Sequence, residues 1–239
     1  MTVKILIAGD SWAGGEWSGG NPPKLLHGGL GDYFQQAGYQ VNNIHSPGKG
    51  NRHNINLCTE FLHLHGPDPR VIFFVVSDPL RNYDLPCQGI KQDIVDCGGL
   101  FELQKYHLRK DLEQLNQLAQ QYETVVNLIG GLTTIDIDLS DLQHLRCLVR
   151  SWPEFLVGQD PAFSHIDWNC FGIWGKWQSI VAAQLTADNA LDRKVIDQMT
   201  AMSNNDHVFE HELFQPDGAH PNRQGHKVLF DFICRKLRL

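Results

Sequence analysis

The stretch Val3-Lys4-Ile5-Leu6-Ile7-Ala8-Gly9-Asp10-Ser11-Trp12 decides the fold. The run Val3–Ala8 has the length of a strand. It is continuous rather than alternating, as expected of a parallel strand covered on both faces. It runs into Gly9, which permits a tight turn, and Asp10, which can satisfy loop amides. A serine in this place stands at the carboxyl end of a strand, where open α/β sheets gather their ligands. Taken alone, Gly-Asp-Ser is ordinary turn chemistry.

Working outward, similar apolar runs recur at Val41–His45, Val71–Val76, Thr124–Ile129 and Leu145–Val149. Helical patterns lie between them. Leu25 to Gln36 follows the first strand. Leu108, Leu112 and Leu115 repeat at i, i+4, i+7 in a helix running to about Gln121. Leu229 or Phe230, Ile233 or Cys234, and Leu237 mark a closing helix. Strands alternating with helices predict an α/β protein with an open, mostly parallel sheet between helices. There is no internal repeat and no Ser/Gly-rich linker, so residues 1–239 read as one domain. The least regular segment, about 151–202, opens with Trp152-Pro153. It reads either as a lid or interface or as plain helix packed on the sheet.

A second turn lies near the other end of the chain. Asp217-Gly218-Ala219-His220-Pro221 precedes the closing helix, which Pro221 or Asn222 can start. Serine catalysis needs a base within hydrogen-bond reach and a carboxylate that holds the imidazole tautomer. The Asp-x-x-His spacing can place both groups on one cleft. Together, Gly-Asp-Ser after the first strand and Asp-x-x-His-Pro before the last helix resemble the SGNH/GDSL hydrolase family. The resemblance implies a flavodoxin-like, three-layer α/β/α domain around a mostly parallel five-stranded sheet. It implies Ser11 as nucleophile, His220 as base and then acid, Asp217 as its orienting partner, and no cofactor. The Gly-x-Ser-x-Gly elbow of other α/β-hydrolases does not occur in the sequence.

The family's oxyanion hole takes a serine amide, a glycine amide from a second block and an asparagine side chain from a third. Ser11 supplies the first. Ser46-Pro47-Gly48-Lys49-Gly50-Asn51 follows the second strand and offers Gly48, with Gly50 next. The third block departs from the family pattern. After Val76 stand Ser77, Asp78 and Pro79, so a serine occupies the asparagine's place. Asn51 or Asn54 could supply the missing amide. Asp78 is read as a ligand of loop amides or a partner of Arg81, at the edge of the substrate site.

Trp12, Trp17 and Trp152 are expected to line the cleft, with Gly130-Gly131 as a bare pocket wall. Core packing is the competing reading for the tryptophans. Such rings stack on sugars, so a glycan ester, in particular an O-acetyl group, is the expected substrate. Trp168, Phe171, Trp174 and Trp177 recur every three residues, as a helix packing on the sheet or an oligomer contact would. His207 and His211 at i, i+4 lack a third metal ligand, and Asp136, Asp138 and Asp141 lack the glycine and glutamate of a calcium loop. No metal is expected.

Net charge is −7 with scattered cations, which argues against nucleic acid as a partner. No apolar run reaches the ~20 residues of a membrane span, and no export signal is read at the start, so a cytoplasmic or particle-assembled protein is expected. The six cysteines form no CxxC and read as free thiols, with one or two disulfides as the alternative. No GxGxxG or GxxxxGK[ST] marks a nucleotide site. The competing function is a binding or structural module of a virion or cell-surface assembly, built on the same fold with weak catalysis.

Overall fold

The computed structural model describes residues 3–18, 20–67, 69, 71–82, 89–131, 133–170, 185, 189–203, 206–215 and 220–239. In chain order they form β1 (Lys4–Gly9), α1 (Ser11–Gly14), β2 (Glu16–Trp17), β3 (Leu25–His27), α2 (Gly29–Gln36), β4 (Gln40–His45), α3 (Asn51–His65) and β5 (Val71–Val76). There follow α4 (Ile90–Cys97), α5 (Leu100–Gln121), β6 (Val126–Gly130), β7 (Leu145–Val149), α6 (Trp152–Val157), α7 (Ala190–Ser203) and α8 (Arg223–Leu237).

Five strands form one sheet in the order β4-β1-β5-β6-β7, and every pairing in it is parallel. That is the flavodoxin-like order, with the chain passing from one side of β1 to the other. The expected α/β fold is the observed one.

The strands explain why their runs are continuous rather than alternating. Ile5 and Ile7 of β1 and Phe73 and Val75 of β5 face one layer, with Leu30 and Phe34 of α2 and Leu229 and Ile233 of α8. Leu6 and Ala8, with Ile72, Phe74 and Val76, face the other, with Ile55, Cys58 and Leu62 of α3 and Leu108, Leu112 and Leu115 of α5. Both faces are therefore apolar, and full burial of each large side chain is worth ~1.5–3 kcal/mol. A third cluster joins Val195 and Met199 of α7 to Ile90, Ile94, Leu100 and Leu103 at the α4–α5 junction.

One element differs from expectation. Leu25–His27 is not the start of a helix but a strand, paired antiparallel with Glu16–Trp17. Pro22 and Pro23 precede it, and Ser18 and Lys24 close the intervening loop through Ser18 N to Lys24 O (2.8 Å) and Lys24 N to Ser18 Oγ (2.9 Å). The helix waits for Gly29, where Asp32 accepts the Gly28 amide at 2.7 Å. His207 and His211 also differ. They lie on the 3-10 turn Asp206–Glu210 and the bend after it, not on an α-helical face.

Within the irregular segment, Trp152, Val157, Phe163 and Ile166 pack into the first core layer. Phe171, Trp174 and Trp177 lie outside the described residues, and Trp168 packs against that same layer. Asp136 pairs with Lys105 and Asp141 with Arg109. Cys58, Cys97, Cys147 and Cys234 are free thiols; Cys87 and the side chain of Cys170 lie outside the described residues. Among the described residues, no helix is long and apolar enough to cross a membrane.

Candidate active site

The crevice beyond β1 and β5 is where this sheet order opens a ligand site. β1 ends at Gly9, whose φ is +149° and whose missing Cβ would stand 2.7 Å from the Val75 carbonyl oxygen. Only glycine fits both the backbone and the approach. Asp10 then caps the one-turn helix α1, accepting the Trp12 amide at 3.0 Å. Ser11 opens that helix, and its amide belongs to the first turn, which has no intrahelical acceptor.

His220 approaches from the far end of the chain. Its Nε2 lies 2.7 Å from Ser11 Oγ, across 209 residues of sequence. The turn that carries it is held on both sides. Phe214 bridges to Pro221, and Gln215 donates its amide to the His220 carbonyl at 2.8 Å. Asn222 caps α8 by accepting the Gly225 amide at 3.0 Å. Glu16, just beyond α1, accepts Gln215 Nε2 at 2.7 Å and Arg223 Nε at 3.1 Å. One carboxylate thus ties the Ser11 segment to the His220 segment. Asp217 lies outside the described residues.

Gly48 takes a positive φ of +73° at the tip of the turn after β4. That turn is fastened to the end of β1, two residues before Ser11, by the Ser46 amide, which donates to the Gly9 carbonyl at 2.9 Å. Gly50 is buried at the N-cap of α3, where its carbonyl accepts Asn54 Nδ2 at 3.1 Å. Asn54 thus commits one Nδ2 proton to the first turn of α3, and its buried Oδ1 has no hydrogen-bond partner among the described residues.

Several expected site residues are otherwise employed. Asn51 is fully buried; its Oδ1 accepts the Ser77 amide at 2.7 Å and its Nδ2 donates to the Ser77 carbonyl at 3.0 Å. It clamps the end of β5 through both ends of its side chain, which commits its Oδ1 and one of its two Nδ2 protons. The Ser77 hydroxyl donates to Asp10 Oδ2 at 2.7 Å, so its single proton is also spent.

Asp78 is buried and accepts the Leu80 amide at 2.9 Å, serving the loop rather than a substrate. Burial pushes its carboxyl up to about 6, against the pull of that amide and of Arg81. The ion pair of Arg81 is with Asp10 instead, at 2.9 Å. Trp12 and Trp152 are 0% exposed and meet edge to face at 5.6 Å. They are core, and neither ring is open to a ligand. Gly130 is not a bare wall; a Cβ there would stand 1.9 Å from the Arg150 carbonyl, so it admits the chain leaving β7.

Trp17 keeps a place at the site. It is half-buried, its indole N–H donates to the Ser11 carbonyl at 2.7 Å, and its ring stands 6.0 Å from that of His45. Burial lowers the His45 pKa, and Asp10 partly offsets this. Asn43, also on β4, donates to the Ala13 carbonyl at 2.9 Å and props α1. Beneath the helix, His226 is fully buried edge-on to Trp152 at 4.8 Å, and desolvation pushes its pKa down to about 3.

Glu16, Asn43, His45, Arg81 and His226 were not anticipated as site residues. Asn43 and His45 are two apart on the edge strand β4, a spacing that puts them on one face of it. The other contacts join distant segments, which no local pattern encodes.

No family model matches the chain, and no curated protein matches it. Among solved structures it is similar to a lipase/acylhydrolase from Enterococcus faecalis, with 16% identity over 99% of this chain and 95% of that one and a TM-score of 0.44. It is similar to the acetylxylan esterase Axe2 from Geobacillus stearothermophilus, at 16% identity, 99% and 94% coverage and a TM-score of 0.42. A family 3 carbohydrate esterase from Clostridium thermocellum gives 16% identity, 98% and 94% coverage and a TM-score of 0.39. Identities and TM-scores this low assign neither an activity nor a residue role to this chain.

Proposed function

We propose that the protein is a serine ester hydrolase of the SGNH/GDSL type, working through an acyl-enzyme on Ser11. The observation that carries this reading is the 2.7 Å approach of His220 Nε2 to Ser11 Oγ at the carboxyl end of β1. Ser11 Oγ attacks the ester carbonyl carbon as its proton passes to His220 Nε2, and the carbonyl electron pair moves onto oxygen. The Ser11 and Gly48 amides receive that oxyanion. Collapse breaks the bond to the alcohol, which leaves with the proton from His220. Water then attacks the acyl carbon while giving a proton to His220. Breaking of the Oγ–acyl bond returns that proton to Ser11 and releases the acid. Asp217 takes the role of orienting His220.

The half-buried Trp17 ring beside Ser11 supports a sugar-borne ester, such as a glycan O-acetyl group, as the substrate. A second reading, a binding or structural module with weak catalysis, is favoured by one observation: the Ser77 and Asn51 side chains are both engaged within the protein. The test is a serine-directed fluorophosphonate together with p-nitrophenyl acetate hydrolysis. The expected result is a single adduct on Ser11 and a rate that Ser11→Ala reduces to background. Equal background rates for both proteins, with no adduct, refute the enzyme and favour the module.

A further inference from the structure

The geometry points to Arg81 as the third oxyanion donor, a guanidinium at the end of β5, where Ser77 carries no side-chain amide and Asn51 is turned onto the Ser77 backbone. This rests on the serine hydrolase reading of the same site. The 3-10 turn Pro79–Asn82 folds Arg81 back over the end of β5. There Nη1 donates to Asp10 Oδ2 at 2.9 Å and to Ser77 Oγ at 3.3 Å. Asp10 and Ser77 are sealed in, at 1% and 0% exposure, whereas the Arg81 side chain keeps 26%. Arg81 is therefore the only member of this cluster that faces outward.

A guanidinium carries five donor hydrogens in a rigid fork. The two on Nη1 are used by Asp10 and Ser77. Those on Nε and Nη2 bond no described residue. Their carrier is fastened to Asp10, the residue directly before Ser11, so the fork is immobilised next to it.

Charge gives a second reason. Asp10 is a buried carboxylate one residue from Ser11, and a negative charge there opposes an oxyanion forming on the attacked carbonyl. An amide would leave that field in place. A guanidinium offsets it and adds charge-assisted hydrogen bonds, roughly twice as strong as neutral ones. Arg81 joins the reaction by donating to the carbonyl oxygen as it gains the electron pair; no proton is transferred to or from Arg81.

The alternative is that Arg81 only neutralises Asp10. Arg81→Lys and Arg81→Ala, assayed with p-nitrophenyl acetate, separate the two. Lysine keeps the charge for Asp10 and loses the fork. The expected result is a kcat about 10²-fold lower in Arg81→Lys with little change in KM, the size typical of one lost donor. Guanidinium chloride at non-denaturing concentration should restore part of the kcat of Arg81→Ala and ammonium chloride should not, since both ions neutralise Asp10 but only guanidinium replaces the fork. Full kcat in Arg81→Lys, or loss in Arg81→Ala without rescue, overturns the inference and leaves Ser11 as the nucleophile. An Arg81→Ala chain that fails to fold leaves the decision to the lysine variant. A wild-type protein with no hydrolysis and no Ser11 adduct overturns both this inference and the hydrolase reading.

Discussion

Asn51 separates two accounts of the second block, and replacing it with alanine decides between them. The side chain is fully buried and satisfies both backbone groups of Ser77, the amide at 2.7 Å and the carbonyl at 3.0 Å. Asn51→Ala orphans a buried donor and a buried acceptor. Each orphan costs ~1–3 kcal/mol, so the loss should be roughly 2–6 kcal/mol, with about 4 as the central value. That is a large part of the ~5–15 kcal/mol that holds a typical domain together. Urea unfolding at neutral pH reads it directly as a lower midpoint at unchanged slope. Asn51→Asp keeps the acceptor for the Ser77 amide but turns a carboxylate oxygen toward the Ser77 carbonyl. It should therefore fall between alanine and wild type at acid pH and approach alanine at neutral pH. An oxyanion donor would behave in the opposite way, with kcat down ~10²–10³-fold and stability nearly intact. An Asn51→Ala protein within about 1 kcal/mol of wild type, by the same measure, refutes the clamp.

The tryptophans divide in the same manner. Trp12→Ala, emptying a fully buried site, should cost ~3–5 kcal/mol in urea unfolding. Trp17→Ala should cost far less but lower kcat/KM on glycan esters, through loss of the ring and of its bond to the Ser11 carbonyl; the reverse ranking would put Trp12 in the cleft. For pH, His226 has its pKa pushed down to about 3 from 6.5, so the unfolded chain binds the extra proton in that window and stability falls as pH drops through it, by at most ~1.4 kcal/mol per unit. Asp78, pushed up to about 6 from 3.8, holds its extra proton in the folded state, so its contribution falls as pH rises through that window and opposes His226. Urea midpoints at mildly acid pH should thus be nearly flat for wild type and drop toward acid in Asp78→Asn; parallel profiles refute the opposition.

What the sequence discloses depends on whether a residue's task is set by its neighbours or by a distant segment. The core strands are legible because two-sided burial demands a continuous apolar run, and β5 and β7 fall on Val71–Val76 and Leu145–Val149 as read. Ser11 and His220 are legible only as a pair: either turn alone is ordinary, and the two together carry the groups that meet at 2.7 Å. Leu25–His27 misleads because its state is decided by pairing with Glu16–Trp17, while its own composition suits a helix equally well.

Trp12 misleads for a reason the sequence did contain. Successive residues of an α-helix point about 100° apart, since 3.6 residues make a turn. If Ser11 at the head of α1 turns its hydroxyl to the cleft, the next residue must turn away from it, and here it turns into the core against Trp152, Phe209 and Phe214. Adjacency to a nucleophile in a strand–helix junction is thus evidence against contact with substrate. Arg81 is the converse. It lies 71 residues from Asp10, and nothing around it marks it apart from other surface arginines. Its ion pair follows from Asp10 being buried: a carboxylate sealed from water needs a cation, and the turn after β5 provides one.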